Sequence, residues 1–291
     1  MLRRFDPSRK RRQEVLGVPM AYLEQGQGDP IVLVHGNPTS SYLWRKVIPE
    51  LSKAGRCIAP DLIGMGDSAK VFAGANTYTF SDHQAYLEAF LHAMGIERDV
   101  TLVGHDWGGP LVFDWGRRHP GSVRAMAYME TIVTPITWDD WPERSREFFR
   151  ALRSDAGEDM ILRRNLFVER VLPASVLDPL PPAVLDVYRS PYRSVGESRR
   201  PTLTWPREVP IEGEPKNVAD IVADNERWLE GPEVPKLFVN AEPGGILVGR
   251  PRQVCRSWAN QTEIAVRGIH FVQEDSGEAI GQAIASWLTS L

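Results

Sequence analysis

The chain has 291 residues, of which 42% are hydrophobic, so it can bury the core of one large domain and is not globally disordered. Its 34 basic and 38 acidic side chains leave a net charge of −4, which gives no indication of nucleic acid or an anionic membrane as a partner. No apolar run is long enough to span a bilayer. The two cysteines, Cys57 and Cys255, indicate neither a disulfide framework nor a metal site, and we expect a cytoplasmic protein.

The N-terminus is locally basic, with the sequence RRFDPSRKRR at residues 3–12. A short basic run is weak support for a targeting or nucleic-acid-binding arm, and no apolar segment typical of a secretory signal follows it. We therefore expect residues 1–11 to form a flexible, solvated terminus.

Short apolar runs alternate with helical patterns along most of the chain. The predicted strands are residues 31–36, 56–61, 100–105, 123–130, 236–242 and 262–268. Most of them lack polar alternation, which is typical of strands buried on both faces of a parallel sheet. A helix is predicted at residues 81–95, with Ser81 as its N-cap and Gly95 as its end. The alternation predicts an α/β protein whose central, mostly parallel sheet has helices on both faces.

The alternation stops between residues 134 and 215, where prolines are frequent and no strong strand candidate occurs. Helical patterns remain at 143–154 and 181–190. We interpret this segment as a helical cap over the carboxyl edge of the sheet. The predicted domains are an α/β core at residues 12–133 and 216–291 and a cap at residues 134–215.

The sequence GHDWG at residues 104–108 lies between a predicted strand and a predicted helix. This is the context of the nucleophile elbow, G-x-S-x-G, with Asp106 in place of serine. A carboxylate that attacks an acyl carbon would form an anhydride, whereas attack on saturated carbon forms an ester that water can hydrolyse. Asp106 therefore predicts a nucleophile for displacement at an alkyl halide or an epoxide.

The second step needs a base, and the imidazole of His270 follows the last predicted strand, as the Ser…acid…His order of such hydrolases requires. An acid must orient this imidazole. Glu130 and Glu242 both stand at the ends of predicted strands, and spacing alone does not decide between them.

The leaving group separates the two substrate classes. An epoxide leaves an alkoxide that needs a proton donor, such as Tyr188 or Tyr192 of the cap, whereas a halide needs only N–H donors in a dry pocket. Asn37 follows the first strong strand and Trp107 follows the nucleophile, and both offer side-chain N–H groups. This pair favours a halide.

Seven segments together resemble the haloalkane dehalogenases of the α/β-hydrolase fold, namely HGNPTSSYLW, DLIGMGDS, GHDWGG, YMETI, FVERVLP, RRPTLTWPREVPI and HFVQEDS. The resemblance extends from about residue 12 to the C-terminus. It implies a cap inserted after the sixth strand, Asp106 as nucleophile, His270 as base and Glu130 as the acid. It also implies halide binding by Asn37 and Trp107, whose backbone N–H groups would form the oxyanion hole.

The resemblance further implies a small halogenated alkane as substrate, hydrolysed by water to an alcohol, a halide ion and a proton, in a detoxifying monomer or weak homodimer without metal or organic cofactor. Ser175 and the segment NAEPGGILVG depart from the family pattern, so substrate preference does not carry over. The alternatives are an epoxide hydrolase, which usually has an aromatic residue where this chain has Asn37, a cofactor-free luciferase-like oxygenase, and a ligand receptor. The implied pocket-lining residues are Phe149, Phe167, Trp205 and Pro206.

Overall fold

The structure is a computed structural model that describes residues 6–71, 74 and 76–291. Its strands are β1 (Arg11–Val15), β2 (Val18–Gln25), β3 (Pro30–Val34), β4 (Arg56–Pro60), β5 (Val100–Asp106), β6 (Val123–Thr131), β7 (Lys236–Pro243) and β8 (Gln261–Gly268). Its α-helices are α1 (Ile48–Leu51), α2 (Phe80–Ala93), α3 (Gly108–Arg118), α4 (Glu143–Arg153), α5 (Leu172–Ala174), α6 (Pro182–Arg189), α7 (Arg200–Glu208), α8 (Lys216–Leu229), α9 (Gly249–Ser257) and α10 (Val272–Thr289).

The eight strands form one sheet in the order β1-β2-β4-β3-β5-β6-β7-β8. Strands β3 to β8 run parallel, whereas β1 is antiparallel to β2 and β2 is antiparallel to β4. The prediction of a mostly parallel sheet is confirmed, and its six predicted strands are the parallel ones. It missed β1 because β1 is a largely exposed edge strand without an apolar run, and β2 because Pro19 near the start of that strand counts against a strand.

Helices pack on both faces of the sheet, as predicted. Helices α2, α3 and α8 bury their apolar side chains on one face, and α1 and α10 bury theirs on the other. Helix α2 begins at Phe80, so the prediction of Ser81 as N-cap is wrong. Thr79 is the N-cap because its side chain accepts from the backbone N–H of Asp82, whose own side chain accepts from the N–H of Thr79. Among the helices described, none combines the length and apolar character needed to cross a membrane.

The basic N-terminal segment is partly held in place. Lys10 Nζ lies 2.7 Å from Asp61 Oδ2 and 2.7 Å from Asp67 Oδ2, and the Asp61 carboxylate is fully buried. A buried carboxylate requires a cation or hydrogen-bond donors, and Lys10 supplies the cation. The expectation of a flexible terminus up to residue 11 is therefore wrong for Lys10 and for Arg11, which begins β1. Residues 1–5 lie outside the described residues.

Helices α4 to α7 lie in the segment between β6 and α8, where the sequence analysis expects a cap. Helices α4 and α6 occupy the two helical patterns predicted there, and no strand forms between residues 134 and 215 apart from isolated bridges at Ile136 and Ile211. We call residues 134–215 the helical insertion. It contacts the sheet domain through side chains such as Tyr188, whose hydroxyl donates to Glu274 Oε1 at 2.5 Å.

The buried carboxylate of Glu274 is the centre of this contact. Arg45 donates two hydrogen bonds to it, at 2.5 and 2.6 Å, and Glu274 is only 2% exposed at its side chain. Lys46 Nζ also lies 3.7 Å from Glu274 Oε2, but its side chain is more exposed. Removing Arg45 would therefore leave the buried carboxylate with only a more distant cation, which costs more than the pair itself contributes.

We therefore expect Arg45→Met to lower the free energy of unfolding by about 3 kcal/mol, because the Glu274 carboxylate stays buried without its bidentate donor. Urea unfolding at neutral pH measures the change. Lys216→Met is the matched control, since Lys216 pairs with Asp220 in solvent and should contribute less than about 1 kcal/mol. Equal losses in the two variants would contradict a stabilising role for the buried pair.

Candidate active site

Asp106 stands at the turn between β5 and α3. Its φ of +52° lies in the left-handed region, which lifts the carboxylate above the carboxyl edge of the sheet. The glycines around it are required by close approach. A Cβ at Gly104 would lie 2.7 Å from Gly109 Cα, and a Cβ at Gly108 would lie 1.9 Å from the carbonyl oxygen of Val34. The turn can therefore form only if these two residues have no side chain, which explains the glycine spacing of the elbow.

Both oxygens of the Asp106 carboxylate are engaged. The backbone N–H of Asn37 donates to Oδ1 at 2.6 Å, and His270 Nε2 lies 3.3 Å from Oδ2. The Thr131 hydroxyl donates to the backbone carbonyl of Asp106 at 2.5 Å, which holds the turn itself. The carboxylate is thus held by groups that follow two strands, β3 and β8, and its backbone by a group at the end of a third strand, β6.

Glu130, and not Glu242, reaches the imidazole of His270. The ladder between β5 and β6 shifts register where Asp106 pairs with Thr131, which leaves Glu130 in a bulge with φ +40°. A bulge turns a side chain away from the regular pleat. Glu130 Oε2 consequently lies 3.4 Å from His270 Nδ1. The Glu242 side chain is exposed at the end of β7.

Backbone N–H donors hold the carboxylate of Glu130 in place. Its Oε2 accepts from the N–H groups of Gly245 at 3.0 Å and Ile246 at 2.8 Å. Backbone groups also fix the loop that carries His270, because Ser175 in the helical insertion accepts from the N–H groups of His270 and Phe271, both at 3.1 Å. These contacts are not predictable from the sequence, because a backbone donor or acceptor leaves no residue-type signal.

The charged groups in this cluster shift one another's pKa values. Burial by itself lowers the pKa of His270, but its hydrogen bonds to Asp106 and Glu130 raise that pKa to about 9. Burial likewise raises the pKa of Asp106, but the hydrogen bond and charge of His270 outweigh it and leave the pKa below its ordinary value. The resting site therefore favours an ionised Asp106 beside a protonated His270 at neutral pH.

The raised pKa of His270 predicts a loss of stability in alkaline solution. Protonated His270 stabilises the folded state below its ordinary pKa of 6.5, and this contribution is lost as the pH rises through about 9. We expect the loss to approach roughly 3 kcal/mol, since one pKa unit corresponds to about 1.4 kcal/mol. Urea unfolding of the wild type and His270→Gln between about pH 7 and pH 10 measures it. Parallel stability curves for the two proteins would contradict the raised pKa.

A cavity of about 370 Å³ opens above Asp106, and its walls come mainly from the helical insertion. Phe149, Phe167 and Pro206, three of the four predicted lining residues, line it, and so do Asn37 and Trp107. The other lining residues are Asp106, Ile132, Trp141, Pro142, Arg144, Ser145, Phe148, Arg170, Val171, Ala174, Ser175, Val209, Gly245, Ile246, Ile269 and His270. Among the described residues, no group of three or more His, Cys, Asp or Glu side chains is arranged to hold a metal ion.

Trp205 corrects the prediction of pocket-lining residues. Its side chain is fully buried and is not part of the cavity wall. It stacks on the Trp107 ring, with centroids 4.5 Å apart, and on the His83 ring at 4.2 Å. The indole of Trp107 lies between Trp205 and the cavity. Its contact with the site is therefore indirect, through the ring that it supports.

Comparisons with known proteins agree with this geometry. The family described as alpha/beta hydrolase fold matches residues 29–164. A haloalkane dehalogenase of Sphingobium indicum is 52% identical over 279 residues, 96% of this chain and 94% of that protein. A haloalkane dehalogenase of Mycolicibacterium smegmatis is 47% identical over 282 residues, 96% of this chain and 90% of that protein. The crystal structure of a haloalkane dehalogenase from Bradyrhizobium elkani superposes with a TM-score of 0.92 at 39% identity, covering 97% of this chain and 98% of that one.

The elbow, the parallel sheet and the imidazole after the last strand define a hydrolase of the α/β-hydrolase fold. Within that class, the identity over nearly the whole chain decides the family. The chain belongs to the haloalkane dehalogenases, hydrolases that act on carbon–halide bonds.

Proposed function

We propose that Asp106 displaces halide from an alkyl halide and forms an alkyl ester with its substrate. The observation that carries this proposal is the Asp106 carboxylate at the floor of an apolar cavity that Asn37 and Trp107 also line. The side-chain N–H groups of these two residues stabilise the charge that grows on the halogen as the carbon–halogen bond breaks. The electron pair of that bond leaves with the halide ion.

Ester formation then prepares the base. The alkylated Asp106 carries no charge, so His270 loses one of the two carboxylates that raise its pKa, and the pKa falls. The imidazole can now take a proton from water, and the hydroxide attacks the carboxyl carbon of Asp106. The backbone N–H groups of Asn37 and Trp107 stabilise the oxyanion. The alcohol leaves, the carboxylate re-forms and a proton is released.

The two cap tyrosines do not favour an epoxide hydrolase. Tyr188 and Tyr192 are both buried outside the cavity wall, and the Tyr188 hydroxyl donates to Glu274. Burial raises the pKa of both phenols well above the ordinary value, which makes them poorer proton donors. A leaving alkoxide would therefore find no tyrosine donor among the described lining residues, whereas a halide needs none.

The proposal extends to the role of the helical insertion and to the location and oligomeric state of the protein. We propose that residues 134–215 act as a cap domain over the core, because they supply most of the cavity wall. We further propose a cytoplasmic enzyme that works as a monomer or a weak homodimer.

The two-step scheme predicts different defects for the nucleophile and the base. Asp106→Ala should abolish halide release, because no ester can form. His270→Phe should release about one halide per enzyme and then stall, because the ester cannot be hydrolysed. Halide titration and intact-protein mass spectrometry measure the two outcomes. His92→Phe is the matched control, since His92 is exposed on α2 and should keep full turnover. Multiple turnovers by His270→Phe would contradict its role as base.

The substrate class is tested by bromide release from 1-bromobutane and 1,2-dibromoethane, with styrene oxide hydrolysis measured beside it. We expect sustained bromide release and little epoxide opening, because Asn37 and Trp107 stabilise a halide while no cap tyrosine faces the cavity. Epoxide opening without bromide release would overturn the proposed halide site.

A further inference from the structure

The solvent end of the cavity carries two guanidinium groups. Arg144 lies on α4 and Arg170 in the π-helical segment Phe167–Val171, and both line the cavity while being exposed to solvent. The Arg170 guanidinium lies 5.7 Å from the ring centroid of Phe148, another lining residue, so its position at the mouth is fixed by a cation–π contact. Asp106, at the other end, is the only acidic residue among the described lining residues.

These two arginines differ from their neighbours in lacking a partner. On the same helix as Arg144, Arg150 pairs with Glu147, and Glu169, next to Arg170, pairs with Arg189. Among the described residues, no carboxylate lies within 4 Å of either Arg144 or Arg170. The exposed end of an otherwise apolar cavity thus carries two guanidinium groups without a carboxylate partner, and guanidinium donors suit a carboxylate ligand.

We propose that Arg144 and Arg170 determine specificity by favouring alkyl halides with a carboxylate at the end opposite the halogen. The proposal rests on the proposed function, because the halogen must reach Asp106 while the carboxylate stays at the mouth. The methylene chain between the two ends fills the apolar middle of the cavity. The solvent-exposed position lets the carboxylate keep part of its hydration, so it need not be fully buried.

The effect has a limited size. Ion pairs at exposed sites are weak and are screened by salt, with a Debye length of about 10 Å at 0.1 M ionic strength. Two such pairs acting on one carboxylate should lower KM about 3- to 10-fold relative to an uncharged substrate of the same shape. The chemical step at Asp106 stays the same, so kcat should change little.

The test compares ω-bromoalkanoates with the corresponding primary amides, which have nearly the same shape and no charge. We expect wild-type KM to be about 3- to 10-fold lower for 6-bromohexanoate or 8-bromooctanoate than for the corresponding amide. The preference should depend on chain length, because the halogen and the carboxylate must be bound together. It should also weaken as the salt concentration rises.

The double variant Arg144→Gln/Arg170→Gln should lose this preference and keep its KM for the amides. The matched control is Arg150→Gln/Arg164→Gln, which removes the same charge from exposed residues of the same insertion that do not line the cavity and pair with Glu147 and Asp159. It should keep the preference. A control that loses the preference as well would overturn the assignment, because the net charge of the insertion would then be responsible.

Two further outcomes would also overturn the assignment. Equal wild-type KM values for acids and amides would show that the arginines do not recognise the tail. A double variant that is slower on acids and amides alike would show that the arginines affect turnover without recognising the carboxylate. Neither result touches the proposed function, which fails only if the enzyme releases no bromide from 1-bromobutane.

Discussion

The site depends on placing two carboxylates and one imidazole together in a nearly dry space. His270 lies 3.3 Å from Asp106 and 3.4 Å from Glu130, and each carboxylate would be costly to bury without it. The fold meets this cost with backbone N–H donors, from Asn37 on one side and from Gly245 and Ile246 on the other. The carboxyl ends of two parallel strands, β3 and β7, which lie on either side of β5 and β6, provide the two sets of donors.

Backbone strain is concentrated where this cluster needs it. Asp106 and Glu130 are both non-glycine residues with positive φ, and both lie at the ends of paired strands. Each aims a carboxylate at the same imidazole, which regular strands could not do, because their side chains alternate between the two faces of the sheet. The strained turn at Asp106 is held by the hydrogen bond from Thr131 and by close packing around the neighbouring glycines.

The sequence was sufficient to predict features whose determinants lie close together along the chain. The glycine spacing around Asp106 is set by close contacts at one turn, and strands β3 to β7 are buried enough to form apolar runs. It was insufficient where a role depends on a contact distant in sequence. The bulge that selects Glu130 over Glu242 is a property of two paired strands, and the burial of Trp205 depends on the position of Trp107. Lys10 looked like part of a solvated basic run because its partner, Asp61, is 51 residues away.

The division between chemistry and specificity follows the division of the chain. The floor of the cavity comes from the strand ends of the core, where the distances between Asp106, Glu130 and His270 allow little variation. Most of the wall comes from the helical insertion, whose exposed side chains can change without disturbing those distances. Ser175 connects the wall to the catalytic cluster. Its carbonyl holds the loop of His270, and the residue also lines the wall. A change of side chain there alters the cavity and leaves the backbone contact in place, so even the wall nearest the base can vary in chemistry without displacing it.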